Sequence, residues 1–400
     1  MQDRRDFDVP DVLDGATDRR RFLRDSMLLG AGVLATGTLT PEMVVAQTAA
    51  APAAAAAKPP VLTYNQVMAK AREVLYPTCR VCPECNGVAC AGEVPGLGGF
   101  GSGKSFQNNF TALQRVELKQ RTIHDVSKPD SSITLFGQKL AFPALGAPTG
   151  GTSYNMGNKM TEEGFIEAII GGCAAAGTVG SVADGIGDPI DIYERRLNKL
   201  RELGFKAIGG VKPRTQEEII LRMKKAEAAG VIAISMDIDS AGRAARATAG
   251  QTVEPKDVRK LRELVKATKL PFIVKGIMTL EEAQKAREAG VAAIVVSNHG
   301  GRVLDHTPGT AEVLPAIADK LKGKIVILAD GTVKYGHDVI KYVALGADAV
   351  LVGRHIVRGA HGGGKDGVAL LMTRMRQELV DAMVLTGCAN VKAISRSILV

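Results

Sequence analysis

Tryptophan is absent from this 400-residue chain, and Phe, Tyr and Trp together make up only 4% of it. The interior therefore has to be packed from aliphatic side chains, and apolar residues at 46% of the chain are enough for a real core. No dense block of Lys and Arg interleaved with aromatics occurs, which disfavours nucleic acid as a partner. The apolar run from Met27 to about Leu39 is shorter than the ~18–20 residues of a membrane span, and it contains Gly and Thr. A dinucleotide fingerprint is missing too. The Gly-rich run Gly92–Gly103 follows no strand and lies in no βαβ unit, so it reads as a flexible connection or a lid.

Glycine, by contrast, is plentiful at 45 residues, which predicts many short, tight connections. The formal net charge is +9; residues 1–57 hold six Arg against eight Asp or Glu, so residues 58–400 carry +11. Such a basic body suits an anionic ligand, for example a phosphate-bearing cofactor or a carboxylate.

The first 57 residues read as a processing segment. Asp18-Arg19-Arg20-Arg21-Phe22-Leu23-Arg24 resembles the twin-arginine export motif, and the short apolar run and an alanine-rich stretch to Ala57 follow in the expected order. This predicts an extracytoplasmic protein (periplasm or cell envelope), with a cytoplasmic one as the alternative. The twin-arginine route carries folded proteins, often with a cofactor already bound. Residues 58–110 form an N-terminal helix with a Cys cluster and the Gly-rich run. In that cluster, Cys79, Cys82, Cys85 and Cys90 are spaced x2, x2, x4. Spacing alone leaves three readings open: an iron–sulfur cluster or zinc, two disulfides, or reduced thiols. Cys173 and Cys388 sit in apolar helical contexts and read as core.

From residue 140 onward, strand-like and helix-like segments alternate. The strands are Leu140–Leu145, Gly177–Ser181, Phe205–Gly210, Val231–Met236, Leu270–Lys275, Ala292–Ser297, Lys324–Ala329 and Ala349–Val352; the last helix is Val368–Leu385. These strands are continuous apolar runs, as parallel strands buried on both faces require. Eight such units predict an α/β fold, a (β/α)8 barrel over residues 111–400, with a doubly wound open sheet as the alternative. In a barrel, chemistry collects where strands end. Ser181, Asp237, Lys275, Ser297 with His299, Asp330 with Gly331, and Gly353 with Arg354 would converge on that rim.

Val274-Lys275-Gly276-Ile277, Ser297-Asn-His-Gly-Gly-Arg302 with Leu304-Asp305, Asp330-Gly-Thr-Val-Lys334 and Leu345–Arg354 together resemble the FMN-dependent 2-hydroxy-acid oxidising family, which includes glycolate oxidase, lactate oxidase and flavocytochrome b2. The resemblance spans roughly residues 100–390. It implies oxidation of an L-2-hydroxy acid to the 2-oxo acid, with oxygen, a quinone or a cytochrome as electron acceptor, and a homotetramer. His299 would be the base, Asp237 would hold its imidazole, and Lys275 would stabilise charge on the flavin. Arg302 would grip the carboxylate. Ala147, Pro148, Thr149, Ser181, Lys275, Ser297, Asp330, Gly331, Lys334, Gly353 and Arg354 would surround the FMN. His306 and His361 read as loop residues.

Two departures from the family pattern bear on the substrate. Ile208-Gly209-Gly210-Val211-Lys212 lacks the expected Tyr, and Arg243 is offset by one from the second carboxylate-binding Arg. Tyr154, Lys212, Arg243 or Arg246 would supply the missing contacts. The competing readings are a barrel of the type 2 isopentenyl-diphosphate isomerase kind, a flavin-free phosphate-binding barrel, and an electron carrier that works through the Cys cluster.

Overall fold

Short runs of Val, Ile, Leu and Ala become the staves of a closed barrel in the computed structural model, which describes residues 62–246 and 252–400. The export-like segment lies outside the described residues, as do the side chains of Arg243 and Arg246. Strands β1 (Ile133–Leu135) and β2 (Gln138–Leu140) form a hairpin ahead of the barrel. The barrel strands are β3 (Ala144–Gly146), β4 (Gly180–Ala183), β5 (Ala207–Val211), β6 (Ala233–Asp237), β7 (Phe272–Ile277), β8 (Ala293–Val296), β9 (Val326–Ala329) and β10 (Ala349–Val352). They pair in parallel in the order β3-β10-β9-β8-β7-β6-β5-β4.

The ring closes between β3 and β4. The Gly146 amide donates to the Val179 carbonyl at 2.9 Å. Two hydroxyls add to the seam, Thr178 donating to Ala144 O at 2.5 Å and Ser181 to Gly146 O at 2.7 Å. Closure leaves no unpaired edge. The hairpin plugs one end: Leu135 and Leu140 pack with the inward residues Leu145, Ile208, Ile273 and Leu328.

All eight expected strands are present. The first begins four residues later than its apolar run, because Leu140 belongs to the hairpin. Helices cover the outside, several of them started by side-chain caps at Thr161, Thr215, Asp257 and Thr279. The closing helix differs most from expectation. It runs Arg354–Thr386 with a kink at Gly363–Gly364, and so begins immediately after β10. His361 is therefore a buried helical residue whose Nδ1 meets Val357 O at 2.9 Å, not a loop residue.

The N-terminal helix Tyr64–Leu75 starts with a capping box from Thr63 and Gln66 and buries Val67, Ala71 and Leu75. It packs on the closing helix at Gly362, where a Cβ would stand 2.1 Å from Val67 O. The Gly-rich run is docked rather than loose. Phe100 N donates to Gly301 O at 2.8 Å, and the Ser102 amide and hydroxyl both donate to Asp305 Oδ2, at 2.5 and 2.8 Å. Asn109 and Asn298 then exchange amide hydrogen bonds at 2.7 and 3.1 Å. Gly362→Ala is expected to push the N-terminal helix off its seat and cost roughly 1–3 kcal/mol, as overpacking does. Urea denaturation checks this, and an unchanged midpoint would mean that the helix tolerates the added methyl.

Candidate active site

A cleft of about 1160 Å³, counting its open mouth, lies over the C-terminal ends of the strands. Ala147, Pro148, Thr149, Lys275, His299, Arg302, Asp330, Gly331, Lys334, Gly353 and Arg354, all expected at the site, line it. Ser181, Ser297 and Asp237, also expected there, do not line it. Ser181 is buried and spends its hydroxyl on barrel closure, because β4 continues past it to Ala183 and leaves Asp184 at the rim. Ser297 is also buried; it donates to Asp330 Oδ2 at 2.9 Å and accepts from His299 N at 3.0 Å.

That Ser297 contact helps hold an unusual backbone. His299 sits at φ 58°, in the left-handed region that non-glycine residues enter at a cost of roughly 1–2 kcal/mol. Its ring is fixed by Asp239, whose Oδ1 lies 2.9 Å from Nδ1. A carboxylate there keeps the proton on Nδ1, which makes Nε2 the accepting nitrogen of the neutral ring.

Asp239 stands where Asp237 was expected. Asp237 ends β6 and registers with Lys275 on β7, so its carboxylate points along the barrel wall. Lys212 reaches it at 2.5 Å and Lys275 at 3.6 Å. Asp239, two residues on, lies past the strand in the 3-10 turn Ile238–Arg246, which brings it to the imidazole. The signal for it was present in the sequence: a second acidic residue at a spacing of two past a strand end.

Lys275 is 4% exposed and also lies 3.5 Å from Asp330. Burial alone would lower its pKa, but Asp237, Asp330 and Asp239 outweigh that and raise it, so it is a permanent cation. Burial would raise Asp237, yet Lys212, Lys275 and His299 hold it below the ordinary carboxylate range. Burial pushes Asp330 up, and Lys275 and Ser297 offset only part of that.

Arg302 and Arg354 are both tied to the Gly-rich run. Arg302 donates to Gly96 O and, at 2.9 Å, to Asn155 Oδ1. Arg354 donates to Leu97 O at 2.6 Å, Gly98 O at 3.1 Å and Gly300 O at 2.9 Å, and it lies flat on the Phe106 ring at 3.7 Å. Lys212 and Tyr154 line the cleft, as the substrate departures required. Arg358, Asp184 and Asn155 also line it and were not anticipated. Arg358 lies one helical turn beyond Arg354, a spacing that puts both on one face.

The four clustered cysteines do not assemble a metal centre. Among the described residues no three Cys, His, Asp or Glu side chains are placed to hold an ion, and every cysteine is a free thiol. FMN, by contrast, fits the residues present. The Thr149 hydroxyl is buried without a hydrogen-bond partner on the cleft wall, and the closing helix starts at Gly353 with no side-chain cap. Its first-turn amides suit a phosphate, while Lys334, Arg354 and Arg358 supply positive charge at the same end. Lys275→Met should strand Asp237 and Asp330 without their cation and cost roughly 3–5 kcal/mol. A urea midpoint equal to that of the parent would show that the carboxylates do not need it.

A profile of the family described as FMN-dependent dehydrogenase matches residues 97–257 and 190–400. A peroxisomal (S)-2-hydroxyacid oxidase of Arabidopsis thaliana is 32% identical over 329 residues, covering 75% of this chain and 89% of the relative. The 2-hydroxyacid oxidase 2 of Mus musculus is 30% identical over 317 residues, covering 73% and 89%. Among solved structures, mandelate oxidase with (S)-2-phenylpropionate superimposes with a TM-score of 0.65 at 28% identity, covering 82% of this chain and 96% of that one. The profile spans nearly the whole barrel, Lys275, the His299 loop and Asp330 included, and the chain belongs to the FMN-dependent dehydrogenase family of flavoprotein oxidoreductases.

Proposed function

We propose that the protein oxidises an L-2-hydroxy acid, lactate- or glycolate-like, to the 2-oxo acid. The observation that carries this reading is the imidazole of His299, fixed by Asp239 in a cleft that Arg302 and Lys275 also line. Relatives named (S)-2-hydroxyacid oxidase, glycolate oxidase and mandelate oxidase support it.

FMN, when bound, accepts the two electrons that leave the substrate carbon. The chain's own residues do the rest. Arg302 holds the substrate carboxylate through its planar fork. His299 Nε2 takes a proton from the substrate, and Asp239 on Nδ1 stabilises the imidazolium that results. Lys275 places a fixed positive charge where reduction builds negative charge. Lys212 and Tyr154 take the places of the family's missing phenol and offset arginine, beside Asn155 and Ile186. Lys334, Arg354 and the amides after Gly353 take the phosphate. Oxygen is the proposed acceptor, with a quinone or a cytochrome as the alternative. We also propose export by the twin-arginine route and a homotetramer.

The test is anaerobic spectroscopy of the purified holoprotein with a panel of L-2-hydroxy acids. The flavin absorbance should bleach with one of them and return on admitting air, with hydrogen peroxide formed. A flavin that no hydroxy acid bleaches would sink the reading; a flavin that bleaches but ignores oxygen would move the acceptor to a quinone or cytochrome. His299→Gln should keep its FMN and lose roughly 10²–10⁴-fold in turnover. Asp239→Asn should fall further than Asp237→Asn in kcat; the reverse order would return the orienting role to Asp237.

A further inference from the structure

We propose that Cys79 and Cys85 form a peroxide-reactive dithiol site that closes to a disulfide and, through Arg358, sets how firmly the flavin phosphate is held. The Nη2 of Arg358 lies 2.9 Å from Cys85 Sγ and 3.7 Å from Cys79 Sγ. The two sulfurs thus share one guanidinium nitrogen, and the proposed disulfide closes by bringing them together from there.

The guanidinium between them is 3% exposed, and its Nε has no hydrogen-bond partner. A buried cation with unspent donors needs an anionic or polarisable partner, and these sulfurs are what the fold supplies. Access is also built in. Cys85 lines both the flavin cleft and a smaller adjoining cavity of about 340 Å³, which Cys79, Cys82, Cys90 and Arg354 line as well. A small solute that enters the cleft therefore meets the Cys85 sulfur. Cys173 shows the contrast: it is fully buried and lines neither cavity.

The chemistry balances with one hydrogen peroxide. The Cys85 sulfur attacks the O–O bond and takes one oxygen as sulfenic acid, while the other oxygen leaves as water with the thiol proton. Cys79 then attacks the Cys85 sulfur, the S–S bond forms, the S–O bond breaks, and a second water leaves. Two thiols have lost two electrons, and the peroxide has gained them. The disulfide is a poorer acceptor for Arg358, whose charge stays buried and turns toward the phosphate end of the cleft that it lines. This site needs neither the hydroxy acid nor the oxygen acceptor proposed above, so it can fail independently of them.

The experiment treats the holoenzyme with stoichiometric hydrogen peroxide and maps its peptides by mass spectrometry. Cleavage at Arg80 and Glu84 separates Cys79 from Cys82 and both from the segment with Cys85 and Cys90. The expected result is the loss of two thiols and a Cys79–Cys85 linkage. In Cys79→Ser, the Cys85 sulfenic acid should instead persist and be trapped by dimedone. Release of FMN on dilution, followed by flavin fluorescence, should slow about tenfold in the oxidised protein, the equivalent of one charge-assisted hydrogen bond. Arg358→Lys should abolish that difference. A main linkage between other cysteines, or thiols that stay reduced, overturns the dithiol site. A correct linkage with unchanged FMN release overturns its coupling to the cofactor.

Discussion

The constraint on which the rest of the site depends is the burial of one positive charge. Lys275 sits at the end of β7, almost out of reach of water, and is tolerable there only because Asp237 and Asp330 flank it. Those two carboxylates are also buried and in turn need partners. Lys212 answers Asp237, and Ser297 answers Asp330. Ser297 also carries the backbone of His299. A single cation therefore fixes four neighbouring strand ends and the loop that bears the imidazole. Such a network is costly to desolvate and costly to break, which keeps its members at their places on the rim.

Much of this was legible from the chain. Continuous apolar runs with period-matched helices between them specify a barrel, since strands buried on two faces need cover on both. The rim residues could be listed because a strand end marks where a side chain leaves the wall. What stayed hidden depends on rotation and reach. Asp237 and Asp239 are both acidic and both at the end of β6, and only the point where strand gives way to helical turn assigns one to Lys212 and the other to His299. Ser181 illustrates a different loss: two further strand residues moved the rim past it and turned a presumed ligand contact into a closure bond. The closing helix starts fourteen residues before the expected Val368, at Arg354, and carries a kink at Gly363 and Gly364. The cysteine spacing was compatible with metal, disulfide or thiol, and only the placement of the side chains in space shows free thiols with no ion-binding cluster among the described residues.

The segment before the barrel is part of the site in a way that composition alone does not reveal. Leu97 and Gly98 offer carbonyls to Arg354, and Gly96 offers one to Arg302. Phe106 lies flat against the Arg354 guanidinium. Glycine suits this stretch because it folds back on the cysteine segment: at Gly98, a Cβ would stand 2.2 Å from Cys90 O.

That contact pattern has a consequence for how the protein is assembled. Three consecutive residues, Gly96 to Gly98, clasp two arginines of the cleft, one on the His299 loop and one at the start of the closing helix. Seating the Gly-rich run and setting the two guanidinium groups are therefore one event, so a change in this loop is felt at the His299 loop and at the closing helix together.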